Sequence, residues 1–260
     1  MGEFKPVVRS LEIQMQQTFS RKMFRYMMLI QPLVFGTILY LTYKNESGVN
    51  YESYIIFGTG LISIWGTIIF SSASDIDRER RMGTLKYVLV SSTDFANVIY
   101  GKILGNVILG LCSSIYSILF LKICFHVEIQ IANVLPFILS VIVTLFSFFT
   151  ISMFLAAFFT LTRKARILMN FLEYPIYILC GLAFPLSILP KFTIPLSYIL
   201  PPTIANKVLS ISANGIVDFT EFYLYLFGLL FLSIIYFFAS RIMLKNLILK
   251  AREQATMELI

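Results

Sequence analysis

Charge is what this sequence has least of. Asp, Glu, Lys and Arg make up 13% of its 260 residues, where a soluble domain carries about 25%, so a water-exposed surface cannot be built from it. Histidine occurs once, as His126, in a short polar segment where a lone imidazole reads as solvated. The three cysteines, Cys112, Cys124 and Cys180, are scattered. An odd, irregular set gives neither a disulfide framework nor a metal-ligand spacing, and cysteines inside apolar runs read as small packing residues. Intramembrane hydrolases and metalloproteases need acid pairs, a serine with a base, or histidine clusters. With that apparatus missing, no catalytic residue, metal or cofactor is expected on this chain. A phosphate-cradling loop is missing too: Gly101-Lys102 is followed by Ile103 and lacks the earlier glycine. No internal repeat supports an inverted-repeat carrier. The first 22 residues have no short apolar region with a small-residue cleavage site, so they do not read as a secretory signal.

What the sequence has is apolar length. Hydrophobic residues make up 58% of it, gathered in runs of about 20, the length that crosses a ~30 Å hydrocarbon core. Six runs have cores at Phe24–Tyr43, Tyr54–Ser74, Phe95–Leu121, Val134–Leu161, Met169–Leu189 and Phe222–Ser240. The third and fourth exceed the need and should tilt or protrude. Alternate connecting segments hold 17 and 4 of the Lys and Arg residues, which predicts both termini in the cytoplasm and an even number of spans. That placement also accounts for the net charge of +7 without a nucleic-acid partner.

Before the first run, Val8, Leu11, Met15, Phe19 and Met23 recur at helical steps, with Arg9, Glu12, Gln16 and Arg21 mostly off that stripe. This predicts an amphipathic helix over 7–23 lying in the membrane interface; a cytoplasmic helix packed on protein has the same pattern. Glu173 is the one acid inside a predicted span core, and a charge at depth must face protein or water. It suits either an interfacial pair with Arg163–Arg166 or a gate on a substrate path. Trp65, with Ser63, Thr67, Ser71, Ser72 and Ser74, puts a weakly polar flank on the second span, suited to helix packing or to lining such a path.

The segment after the second run reads DIDRERRMGTLKYVLVSSTD, residues 75–94. A dense mix of acids and bases leads to Gly83, which breaks the helix, and Thr84, which can cap a short new one. Leu85, Val88 and Leu89 give that helix an apolar stripe. It suits docking in a partner's groove or resting on headgroups. The residues "DRERRMGTLKYVLVSS…VIYGKILG" resemble the signature of type-2 ABC (ATP-binding cassette) exporter permeases, matched by Glu79, Arg80, Gly83, Thr84, Leu85, Leu89, Gly101 and Lys102. Lys86 stands where that family often has Glu, and Thr93-Asp94 where it often has Pro. "EYPIYILCGLAFPLSILP" resembles the fifth-span region of its drug and glycolipid exporters.

The resemblance implies one all-α membrane domain over residues 1–260. It would have six spans, the interfacial helix, a cytoplasmic coupling loop over 78–90, a re-entrant extracellular helical hairpin over 184–202 between helices 5 and 6, and a cytoplasmic tail over 241–260. The five prolines between Pro185 and Pro202 independently prevent one continuous helix there. Two ATPase subunits, holding the ATP and magnesium, would pair with two permease copies, alike or related, in a bacterial cell membrane. Glu79, Arg80, Arg81, Met82, Gly83, Thr84, Leu85, Val88 and Leu89 would dock the ATPase. Glu173, Trp65 and Ser71 are the candidates for gate or substrate path. The expected cargo is an amphipathic drug, antibiotic or lipid-like molecule, with a lipid-linked polysaccharide or teichoic acid as the alternative. An ATP-independent channel or carrier is the remote one.

Overall fold

The computed structural model describes residues 4–44, 51–81, 83, 95–128, 131–162 and 165–253. These residues are helical throughout, with no strand among them. The helices are α1 (Phe4–Phe19), α2 (Lys22–Tyr43), α3 (Tyr51–Arg81), α4 (Phe95–Phe125), α5 (Val134–Leu161), α6 (Ala165–Leu179), α7 (Ile194–Ile199), α8 (Pro201–Asn214) and α9 (Phe219–Glu253), with a 3-10 turn at Leu186–Ile188. Five of them, α2, α3, α4, α5 and α9, are long and apolar enough to cross a membrane.

α3 is the axis of the bundle. Over Tyr51–Ile69 most of its residues are buried, and it packs against α2, α4, α5, α6 and α8. Small residues make this possible. Gly60 faces Ser114, Gly110 lies against Ile64, and the Ser63 and Ser117 hydroxyls meet at 3.3 Å. Between membrane helices the driving force is close packing rather than water exclusion, so small residues bring backbones together. α3 does not stop where its apolar stretch ends. It runs 31 residues to Arg81, about 46 Å at the helical rise, and Gly83 then sits in the left-handed region at φ 68°.

The fifth apolar run differs from the expected single span. α6 covers 15 residues and ends at Leu179, ten residues before the expected Leu189. Gly181 takes φ +68°, where any side chain is strained, and the Leu182 and Ala183 amides fold back onto the Tyr177 carbonyl at 3.1 and 3.0 Å. Three helices fasten this turn. Tyr54 on α3 and Asn206 on α8 donate to the Gly181 carbonyl at 2.8 and 3.1 Å, and Tyr43 on α2 donates to that of Ala183 at 3.1 Å. They satisfy carbonyls that a helix end leaves open.

The proline-rich stretch beyond is broken as expected, into the 3-10 turn, α7 and α8. The Ile199 carbonyl accepts from Tyr236 at 3.1 Å, a residue about 25 Å along α9 from its start. α8 then returns toward the end where α3 begins. Asn214 bonds Ser53 there, and the Ala213 carbonyl accepts from the Ala132 amide at 2.8 Å.

α1 also departs from its expected form. It ends at Phe19 rather than continuing to Met23, and Ser20 and Arg21 form a turn before α2. Its buried stripe is polar: Ser10, Gln14 and Thr18 face α4, and Gln14 Nε2 donates to Asn106 Oδ1 at 2.9 Å. Of its apolar stripe, Val8 and Phe19 are 53% and 48% exposed, while Met15 packs against Phe24, Met28 and Leu109. α9 likewise continues as helix to Glu253, through most of the stretch expected as a tail.

Candidate functional site

The polar cluster of the bundle lies where α2, α3 and α6 meet. Gln31 falls in the second turn from the start of α2's apolar stretch, beside Pro32, and points across to α6. Its Nε2 donates to Glu173 Oε1 at 2.8 Å and approaches the Tyr177 hydroxyl at 3.3 Å. Tyr177 in turn donates to Glu173 Oε1 at 3.3 Å. Glu173 and Tyr177 are one turn apart on α6, so both reach the same spot. Gly66 on α3 makes room, since a Cβ there would meet the Tyr177 hydroxyl at 2.9 Å and the Gln31 amide at 3.3 Å.

Glu173 is 3% exposed. A carboxylate that deep needs donors, because an unmatched buried charge is costly, and two neutral donors supply them. The side chains of the bases at 163–166, the other expected partners, lie outside the described residues; among those described, Gln31 and Tyr177 are its hydrogen-bond partners. These two partners were not picked out in the sequence. Gln31 was visible as a lone amide inside the first apolar run, which has to find a partner there; Tyr177 carried no such signal.

Gln31→Leu should therefore destabilise the chain by about 1–3 kcal/mol, the cost of leaving a buried polar group unsatisfied. Glu173→Gln should cost less, since an amide oxygen still accepts from Tyr177. Thermal unfolding in detergent compares the two. A Gln31→Leu variant as stable as the parent would show that the contact carries no energy.

Trp65 is fully buried on α3 with its ring edge-on to Phe148, and its Nε1–H has no acceptor among the described residues. Ser71 is buried one turn beyond Thr67, its hydroxyl donating to the Thr67 carbonyl at 2.6 Å. Ser63 and Thr67 bond back along α3 in the same way. The structure brings Glu173 against the helix that carries Trp65 and Ser71; the cavities formed by the described residues are not lined by all three. A cleft of about 10 Å³, roughly one water's room, lies between α2 and α3 and is lined by Gln31, Ser63, Gly66 and Thr67.

Of the expected docking segment, Glu79, Arg80 and Arg81 belong to the last turn of α3, and Gly83 is in the left-handed turn beyond it. Met82, Thr84, Leu85, Val88 and Leu89 lie outside the described residues. Lys102 is on α4, next to the Gly101 that receives α1.

Five helices long and apolar enough to cross a membrane define a multi-pass membrane protein. The profile of the ABC-2 type transporter family matches residues 8–214, and the chain belongs to that family. It is thus a permease component of an ABC transporter, the transmembrane part, with ATP hydrolysis residing in a partner polypeptide. No curated protein matches the chain.

Proposed function

We propose that this chain is the membrane half of an ATP-driven exporter that moves an amphipathic drug, antibiotic or lipid-like molecule out of a bacterial cytoplasm or inner leaflet. One observation carries the reading. α3 ends in the expected docking segment, forms the axis of the bundle, and abuts the Gln31–Glu173–Tyr177 cluster at Gly66. A displacement imposed on residues 78–90 enters the bundle through its most buried element. Two permease copies with two ATPase subunits then alternate between inward- and outward-facing packings, the ATPase state biasing a bistable membrane domain.

In this reading both termini are cytoplasmic, as the 17-to-4 division of basic residues favours. α6 is the fifth of six spans, a short one. α7 and α8 form the re-entrant hairpin, which the contact between Ile199 and Tyr236 supports. Glu173, with Trp65 and Ser71 along the same rod, belongs to the gate. Irregular backbone at membrane depth is tolerated where protein buries it, and α8 is buried over Pro201–Asn206.

The cargo class is tested on the permease–ATPase complex in proteoliposomes. Amphipathic drugs should raise ATP hydrolysis several-fold over the basal rate, and lipid-linked glycans should not. Stimulation by glycans alone would move the assignment to polysaccharide or teichoic acid export. Transport without any ATPase would overturn the reading altogether.

A further inference from the structure

At the end of the bundle where α3 and α9 begin, a cavity of about 350 Å³ opens between the turn after α6, α8 and the first turns of α9. Two polar groups on its wall are not explained by the cluster at Glu173. Lys207 on α8 donates to the Tyr198 hydroxyl at 2.5 Å and the Tyr225 hydroxyl at 3.2 Å, and stands 5.0 and 4.8 Å from the two ring centres. Burial pulls its pKa down, but the two tyrosine hydrogen bonds outweigh this and leave it above the ordinary lysine value, so the ammonium is charged. Among the described residues no carboxylate lies within ion-pair distance of it. Glu221, in the first turn of α9, also lines the cavity and has no described cation as partner.

These groups are of two kinds. A tyrosine oxygen that accepts from an ammonium keeps its own proton to donate, and Lys207 has a third N–H; together they present donors and positive charge to an anion. Glu221 presents acceptors and negative charge to a protonated amine. A simple anion would leave Glu221 unmet, and a simple cation would meet the charge of Lys207. A neutral sugar would compensate neither charge. The volume is at the low end for ligand pockets, enough for a head group rather than a whole amphipath. Leu224, one turn along α9 from Glu221, is 70% exposed and gives apolar surface for attached chains.

We propose that this cavity binds the phosphoethanolamine-type head group of a membrane phospholipid, with phosphate at Lys207 and the primary amine at Glu221. The assignment is independent of what the exporter carries. Native mass spectrometry of the full chain in detergent, titrated with phosphatidylethanolamine, phosphatidylcholine and phosphatidylglycerol of matched chains, tests it. Phosphatidylcholine lacks the N–H donors and phosphatidylglycerol lacks the cation, so phosphatidylethanolamine should bind about tenfold tighter than either, the ratio that about 1.4 kcal/mol gives. Glu221→Gln, at the exposed rim, should remove the preference over phosphatidylcholine without changing thermal stability. Lys207→Met should weaken all three lipids. Because Lys207 ties α8 to α7 and α9, the Glu221→Gln variant decides if that protein does not fold. Equal binding of the three lipids, or an unchanged preference in Glu221→Gln, overturns the proposal. Equal affinity for soluble phosphoethanolamine assigns the cavity to a free zwitterion and overturns the lipid.

Discussion

Leu85→Asp is expected to abolish transport and cargo-stimulated ATP hydrolysis while leaving the chain inserted in the membrane. Leu85 opens the apolar stripe of the segment that follows α3, and a docking helix binds through a few such anchors in a groove. A carboxylate in that groove is desolvated without a partner, which costs several kcal/mol, enough to release the ATPase at ordinary concentrations. Insertion is unaffected because residue 85 is outside every apolar run. The measurements are co-purification of the ATPase with the permease and uptake into inverted vesicles. Normal transport in this variant would show that the segment does not couple the two proteins.

The second large effect is expected at Gly101. A Cβ there would lie 2.3 Å from the Val7 carbonyl oxygen and 2.7 Å from Ser10 Cβ, distances that no small adjustment relieves. Gly101→Val should push α1 off α4, breaking the contact of Gln14 with Asn106, at a cost of about 1–3 kcal/mol or more for overpacking. A cysteine introduced at the buried Ser10 would become open to maleimide labelling. Gly228→Val is the matched control, because a Cβ on that glycine of α9 meets nothing within 4 Å. Equal labelling in the two variants would mean that α1 is not held by this contact.

Much of the architecture was legible in the sequence because a bilayer imposes a length on apolar runs. The positions of α2, α3, α4, α5 and α9 follow from that alone. α6 was misjudged in length for an equally physical reason. Hydropathy does not see a turn made from Cys180, Gly181 and Leu182, all compatible with an apolar run, and only the positive φ at Gly181 ends the helix. α1 was legible as amphipathic, but the sequence did not say which side meets protein. Ser10, Gln14 and Thr18 seek hydrogen-bonding partners that lipid cannot offer, so they pack inward, the reverse of a soluble helix. Of the candidate site, Glu173 was visible as a lone deep acid. Its partners come from residues 142 positions away and one turn away, and only the first kind of pairing depends on the tertiary fold. The zwitterionic cavity was not visible at all, because Lys207 counted in the sequence only as one of the few bases on the less basic side.

Gly66 is the middle residue of α3, with about 22 Å of helix on either side of it. A rod held at its centre behaves as a lever with equal arms. A tilt of about 10° there would carry the end at Arg81 about 4 Å one way and the end at Tyr51 about 4 Å the other. Tyr54, near that far end, is what grips the Gly181 carbonyl. A pull on the arm that ends at Arg81 would thus be felt at the opposite end as a tug on the turn after α6, with the direction reversed.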